Sequence, residues 1–148
     1  MVAWVPDVRQ SGDYDCGAAA VESVLRFHGV KPSPWLSKLA NPVQGMAPDT
    51  IEAVLWESLG SVVGGVMRVD DLRHFAASNR PVICPVMVDG CGHMVFVCGV
   101  SRGQVYFQCP LSGPQMVGSR HWARAWRDET PGSIYQSFGI VGWPRGVS

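Results

Sequence analysis

The sequence contains little charge, and the charge it has is balanced. Only 16% of its 148 residues are charged, below the roughly 25% typical of soluble domains. Twelve basic side chains offset twelve acidic ones, so the formal net charge is zero. This balance argues against a nucleic acid or an anionic membrane as a partner bound through charge alone. The apolar content of 47% excludes a disordered chain.

Targeting and membrane signals are also missing. The first seven residues have neither the basic nor the apolar region of a signal peptide. No apolar run approaches the roughly 20 residues that a transmembrane helix needs. We therefore expect a cytoplasmic protein without a membrane span. The length of 148 residues predicts a single domain, 1–148, that is large enough to bury a core.

The cysteines exclude two common frameworks. Their number is odd, which rules out a fully paired disulfide scaffold, and no CxxC pair provides the spacing of a zinc finger or a thioredoxin site. The five are Cys16, Cys84, Cys91, Cys98 and Cys109. In a reducing compartment they are free thiols, and the open question is which of them takes part in chemistry.

Hydrophobic periodicity predicts helices first and strands later. The predicted helices are 16–28, 34–40, 49–59, one that starts near 70, and 119–126. The predicted strands are 81–88, 93–100, 104–109 and 134–143. Pro85 predicts an edge position or a bulge in the first strand. The order is typical of an α+β fold, with a helical part over about 1–79 and an antiparallel sheet over about 80–148.

One cysteine has the setting of a nucleophile. Cys16 lies where a loop becomes a helix, and the unpaired N–H groups and partial positive charge of a helix start favour a thiolate. Gln10, six residues upstream, can donate its amide to the oxygen that gains charge during acyl transfer, beside the backbone N–H of Cys16. Gly17 leaves room for a substrate carbonyl.

A histidine provides the expected partner. His93 begins a strand directly after a glycine-rich turn, a position that exposes a side chain at a sheet edge. In a Cys–His pair the imidazole takes the thiol proton and later returns a proton to the leaving amine. Cys84 and Cys98 lie within apolar strands and are predicted core residues. Trp122 or Trp126 is a candidate wall of a substrate cleft.

The pattern resembles that of the bacteriocin-processing peptidases. These are papain-like cysteine peptidases that cut after a double glycine and usually form the cytosolic N-terminal domain of an ABC exporter. The shared motif is Gln10-x5-Cys16-Gly17-x-Ala19-Ala20 with Asp15 before the cysteine. The likeness continues through 45–60, 72–83, 93–99 and 105–110 and ends near residue 126.

The resemblance implies a papain-like fold and a role for each matching position. Cys16 would be the nucleophile, His93 the general base and acid, and Gln10 the oxyanion donor. Asp15, Gly17 and Gly92 would line the substrate cleft. No exporter domain follows in this chain, so the sequence does not support coupling to transport.

The third catalytic position departs from the family. The family has an aspartate in an Asp-Pro pair about sixteen residues after the histidine, and here that place is Cys109-Pro110. A carboxylate holds the imidazole tautomer and stabilises the imidazolium, whereas a thiol with a pKa near 8.5 is a poor substitute. Gln108 can orient the ring through its amide oxygen. Strand alternation, however, puts Gln108 and Cys109 on opposite faces, so a bulge before Pro110 is required.

Several functions remain open from the sequence. The main expectation is a bacterial or phage cysteine peptidase that acts on peptides or proteins without a cofactor, with cleavage after Gly-Gly as the narrower version. A papain-like enzyme that hydrolyses peptidoglycan or acts as an effector is an alternative, as is an inactive peptide-binding domain. A zinc-binding or redox-controlled module is a further alternative, in which the ligands or disulfide partners come from Cys16, Cys91, His93 and Cys109.

Overall fold

A computed structural model describes residues 6, 8, 16–33, 36, 46–88, 91–128 and 135–146. Four helices lie in these parts of the chain. They are α1 (Cys16–Phe27), α2 (Pro48–Leu59), α3 (Val69–Ala77) and α4 (Ser119–Ala125). None of the helices in these parts is long and apolar enough to cross a bilayer. The predicted helix over 34–40 falls, except for residue 36, outside the described residues.

The helix ends follow local backbone rules. Gly29 after α1 has a φ of 74°, a left-handed conformation that glycine adopts without a steric penalty. α2 begins with Pro48, whose missing N–H is not needed at a first helical position. It ends at Gly60, which has a φ of 93°. At the start of α3 the carboxylate of Asp71 accepts the backbone N–H of Arg68 at 2.7 Å.

In the described parts of the chain, eight strands form two antiparallel sheets. The strands are β1 (Gly60–Val66), β2 (Val82–Val88), β3 (Cys91–Ser101), β4 (Gln104–Cys109), β5 (Gly113–Gly118), β6 (Arg127–Asp128), β7 (Tyr135–Gln136) and β8 (Phe138–Pro144). Six of them make the main sheet in the order β1-β8-β2-β3-β4-β5, and β6 pairs with β7. The consecutive predicted strands 81–88, 93–100 and 104–109 correspond to the adjacent strands β2, β3 and β4 of this larger sheet.

Pro85 occupies the locally unpaired side of β2. The described pairs between β2 and β8 involve only Val82 and Ile83, whereas β2 pairs with β3 along its whole length. Pro85 lies opposite Met94 on β3 but beyond the two residues of β2 that pair with β8. Its missing N–H is therefore not needed for a bond to β8. The prediction of an edge at Pro85 is confirmed for this half of the strand.

Helices cover both faces of the main sheet and create two cores. On one face the helices α1 and α2 pack against Ile83, Phe96 and Ile140. On the other face Leu72 of α3 and Trp122 of α4 pack against strand residues that include Val82, Cys84, Val95 and Val97. We name these the α1 face and the α4 face. Because both faces are covered, the central strands are apolar on both sides and show little alternation in the sequence.

Two strands differ from the sequence-based expectation. The sequence pattern predicts no strand between 109 and 134, but Gly113–Gly118 forms β5 and pairs with β4 along its length. β1 lies within the part of the chain predicted to be helical, yet it pairs with β8 in the main sheet. Both segments are rich in glycine or proline, and tertiary pairing outweighs their weak intrinsic strand preference.

Two directly paired glycines make a matched test of this packing. Gly65 on β1 lies opposite Gly139 on β8. A Cβ on Gly139 would lie 2.5 Å from Sδ of Met67 and 3.0 Å from Cγ1 of Val82, whereas a Cβ on Gly65 would meet nothing within 4 Å. We expect Gly139→Ala to lower the free energy of unfolding by about 1–3 kcal/mol through overpacking, and Gly65→Ala to leave it nearly unchanged. Urea unfolding of both variants measures the difference, and equal effects would contradict this packing.

Candidate active site

The candidate nucleophile stands at the first residue of a buried helix start. α1 begins at Cys16, and every residue from Cys16 to Val21 is buried. This agrees with the predicted loop-to-helix position of the thiol. The two upstream candidates, Gln10 and Asp15, lie outside the described residues, so their predicted roles as oxyanion donor and cleft residue stay predictions.

Burial raises the pKa of the Cys16 thiol. The backbone N–H groups of Met94, Gly17 and Cys16 itself oppose this shift because they stabilise a thiolate, but loss of solvent is the larger effect. The sequence predicted a lowered pKa from the helix start alone, and the net direction is the reverse. The thiol is therefore protonated at rest near neutral pH and needs a base at the moment of attack.

The same contact places the thiol next to the backbone of the strand that carries the candidate base. The N–H of Met94 that acts on Cys16 belongs to the residue directly after His93 on β3. His93 is half-buried, and its Nδ1 atom is shielded from solvent. The fold thus brings the start of α1 to the start of the His93 strand, although 77 positions separate the two residues in the chain. A contact made by a backbone N–H cannot be predicted from residue type, and Met94 was not among the predicted site residues.

Cys109 joins this site from the neighbouring strand. It is the last residue of β4, it is buried, and its charge acts on the pKa of Cys16, so the two thiols lie within electrostatic range. Phe96 on β3 pairs with Gln108, which brings Cys109 level with Val95. Val95 and His93 are two positions apart and share a face. Cys109 therefore lies diagonally across from His93, where the resemblance expects an acid.

Gln108 lies on the other face of the sheet. Its direct partner Phe96 belongs to the α1 face, and directly paired side chains point to the same side. The β4–β5 register runs without a break from Gln108 to Cys109, and the irregularity in β3–β4 falls between Val97 and Gly99. The bulge that Gln108 needs to reach the His93 face is therefore not at Pro110. Gln108 is buried on the side of α1 instead.

Gly17 has a packing reason to be glycine. A Cβ at this position would lie 2.8 Å from Cβ of Met46 and 3.7 Å from Cδ1 of Ile51. The space that a side chain would take is thus occupied by the segment that leads into α2. Its N–H still acts on the Cys16 thiol. Gly92, the other predicted cleft glycine, is exposed next to His93.

Two other cysteines are core residues, as predicted. Cys84 is fully buried, and its pKa is raised well above the usual value by that burial. Cys98 donates to the carbonyl oxygen of Tyr106 at 3.3 Å, and burial raises its pKa to about 11. The residues that the structure describes contain no group of three or more His, Cys, Asp or Glu side chains arranged to hold a metal ion. The side chain of Cys91, part of the alternative zinc set, lies outside that description.

Comparison with known proteins identifies the fold. No protein-family model and no curated protein matches the sequence. Among solved structures, a double glycine motif protease from an AMS/PCAT transporter, in complex with the leader peptide, matches 95% of this chain and 91% of its own, with 18% identity and a TM-score of 0.70. A putative C39-like peptidase from Bacillus anthracis covers 93% of both chains with 14% identity and the same TM-score.

A third similar structure is a peptidase domain of a transporter. The peptidase domain of Streptococcus ComA, a bifunctional ABC transporter involved in quorum sensing, matches 92% of this chain and 96% of its own, with 15% identity and a TM-score of 0.62. These matches span nearly the whole of each chain. The chain therefore has the α+β fold of double-glycine peptidase domains, which confirms the papain-like fold predicted from the sequence.

The direction of the Cys16 shift leads to a test by alkylation. Because burial raises the pKa, we expect the rate of iodoacetamide modification at Cys16 to rise with pH along a curve whose midpoint lies above the value of about 8.5 for a free thiol. Mass spectrometry of the labelled peptide measures this rate, and Cys16→Ser identifies the peptide. A midpoint below that of a free thiol would contradict the dominance of burial.

Proposed function

We propose that this chain is a cysteine peptidase in which Cys16 is the nucleophile and His93 the general base and acid. The observation that supports it best is the contact of the Cys16 thiol with the N–H of Met94, one residue after His93. In a fold shared with double-glycine peptidase domains, this contact supports the pairing because it lies one residue from His93 on β3.

The reaction begins with proton transfer because the resting thiol is neutral. The imidazole of His93 accepts the thiol proton while the sulfur attacks the peptide carbonyl carbon. The N–H of Met94 and the start of α1 stabilise the negative sulfur that forms. The carbonyl oxygen gains a negative charge in the tetrahedral intermediate. The backbone N–H of Cys16 and the amide of Gln10 are the donors proposed to hold it.

The second half of the reaction reverses the proton transfer. The imidazolium of His93 donates a proton to the leaving amine, the C–N bond breaks, and a thioester remains on Cys16. Water then attacks the thioester as His93 takes its proton, and the carboxylate product leaves with the thiol restored. Each step needs a reduced Cys16, which agrees with a cytoplasmic location and with the free cysteines among the described residues.

Cleavage after Gly-Gly is the narrower form of the proposal. One structure with the same fold is described as a double glycine motif protease bound to the leader peptide. By this likeness the substrate would be a peptide or protein with a double glycine before the scissile bond, since two residues without side chains suit a narrow passage beside a buried thiol. Peptidoglycan cross-links are the competing substrate in the test below.

Alanine variants of the two partners test the activity. We expect Cys16→Ala and His93→Ala each to lower kcat/KM for a Gly-Gly peptide by about a thousandfold or more, because each removes a group that acts in the transition state. Cleavage is followed by chromatography of the two product peptides, and a muropeptide with an intact cross-link is tested in parallel.

Matched controls come from the same chain. His74→Ala removes an exposed histidine of α3, and Cys98→Ser replaces a core thiol while it keeps a donor for Tyr106. Both controls should retain activity. Full cleavage by Cys16→Ala would refute the proposal, and cleavage of the muropeptide alone would refute the Gly-Gly form.

The third position has a separate test. Cys109 lies diagonally across from His93 on the neighbouring strand, and the resemblance expects a carboxylate at this position. We therefore expect Cys109→Asp to raise kcat by about tenfold or more through a fixed tautomer and a stabilised imidazolium. Circular dichroism checks that the buried carboxylate does not unfold the protein. If folded Cys109→Asp loses activity, Cys109 has a role in catalysis that an acid does not replace.

A further inference from the structure

An apolar pocket lies between α4 and the α4 face of the sheet. Its volume is about 360 Å³, within the range of small ligand sites. Val86 and Met87 of β2, Phe107 of β4 and Trp122 of α4 are among the residues that line it. The rings of Phe107 and Trp122 pack 5.5 Å apart, which gives this part of the lining a fixed shape. The pocket therefore suits one large apolar side chain.

The rim of this pocket is cationic. His121, Arg124 and Arg127 also line it, and no acidic residue does so among the described residues. His121 and Arg124 are exposed, so they can turn toward an occupant without a loss of burial. An apolar floor with a basic rim is complementary to an apolar side chain that has a carboxylate beside it.

The pocket is connected to the candidate active site through one residue pair. Val86, which lines the pocket, is the direct antiparallel partner of His93. Directly opposed side chains share a face, with Cβ atoms about 4.5–5.5 Å apart. In the proposed mechanism His93 gives a proton to the leaving amine, so the peptide beyond the scissile bond passes on the His93 side.

We propose that this pocket binds an apolar residue with an acidic residue next to it, in the segment that follows the scissile bond. The placement after the bond rests on the proposed function, whereas the preference for an apolar and acidic pair rests on the pocket alone. The pocket would thus select substrates by the sequence of the segment after the scissile bond, which is the first product to leave.

Binding without cleavage provides the test. The Cys16→Ala variant of the full chain is titrated by calorimetry with peptides that share all residues except the two after Gly-Gly, which are Phe-Glu or Phe-Lys. We expect the Phe-Glu peptide to bind about tenfold more tightly, the effect of one charge-assisted hydrogen bond. A third peptide carries Phe-Glu directly before Gly-Gly. Equal affinity for Phe-Glu and Phe-Lys would overturn the pocket, and equal affinity for both Phe-Glu placements would overturn its position after the bond.

Two exposed arginines of α4 are matched for the charge effect. Arg124 lines the pocket, whereas Arg120, one turn earlier, does not. Arg124→Gln and Arg120→Gln in the Cys16→Ala background remove the same charge from the same helix. We expect only Arg124→Gln to abolish the preference for Phe-Glu over Phe-Lys. An equal loss in both variants would show a general charge effect and overturn the assignment.

Two alanines of α4 test the apolar part in the same way. Ala125 lines the pocket and is half-buried, whereas Ala123 is exposed and does not line it. Ala125→Phe should fill the pocket and lower the affinity for the Phe-Glu peptide at least tenfold, while Ala123→Phe should leave it unchanged. Thermal unfolding of both variants confirms that they are folded, and unchanged binding by folded Ala125→Phe would overturn the pocket.

Failure of the pocket and failure of the peptidase are distinguishable. If the chain binds the Phe-Glu peptide more tightly but cleaves no peptide, the pocket proposal stands and the proposed function is refuted. If the chain cleaves both peptides with equal kcat/KM and binds them equally, the proposed function stands and the pocket proposal is refuted.

Discussion

The candidate site depends on one contact, in which the start of α1 meets the backbone of β3. The N–H of Met94 acts on the thiol of Cys16, so the first residue of α1 lies against a strand of the main sheet. The buried residues of α1 hold the helix there through Leu25, Phe27 and their neighbours in the α1-face core. Loss of this packing would move the Cys16 thiol away from β3, although both Cys16 and His93 would still be present.

Two opposing effects set the state of the thiol, and their magnitudes decide which is larger. A helix start stabilises a nearby anion by about 0.3–1 kcal/mol, whereas burial of an ion without a full set of partners costs several kcal/mol. Burial therefore outweighs the helix start and the amide donors at Cys16. A neutral thiol is protected against casual oxidation, because the thiolate is the reactive form. In the proposed mechanism it becomes a nucleophile only when the imidazole of His93 removes its proton.

The sequence predicted the elements with strong periodicity or clear ends. α1, α2 and α4 lie close to their predicted positions, and β3 and β4 carry His93 and Cys109 as expected. Strand alternation also separated Gln108 from Cys109 correctly. β1 was assigned to the helical part and β5 was not predicted as a strand, because their glycines give no periodic signal and their pairing partners lie on other strands.

The candidate side chains could be named from the sequence, but their backbone surroundings and solvent exposure could not. Cys16, His93 and Cys109 were predicted because residue type and spacing are visible in a sequence. The Met94 N–H was missed, as was the burial that raises the pKa of Cys16, because both arise from the packing of α1 on the sheet. The role of Gly17 shows the same limit. Its need for glycine comes from Met46, 29 positions away, and a local motif could not reveal it.

The position of β8 has a consequence for how the protein acquires its shape. β8 lies between β1 and β2 in the sheet, yet it is synthesised after all the other strands. Until it pairs, β1 and the Val82–Ile83 end of β2 are open edges, which are prone to wrong pairing with other chains. Pairing over so long a stretch of sequence also slows folding. The nascent chain therefore contains Cys16, His93 and Cys109 well before the sheet that supports them can close.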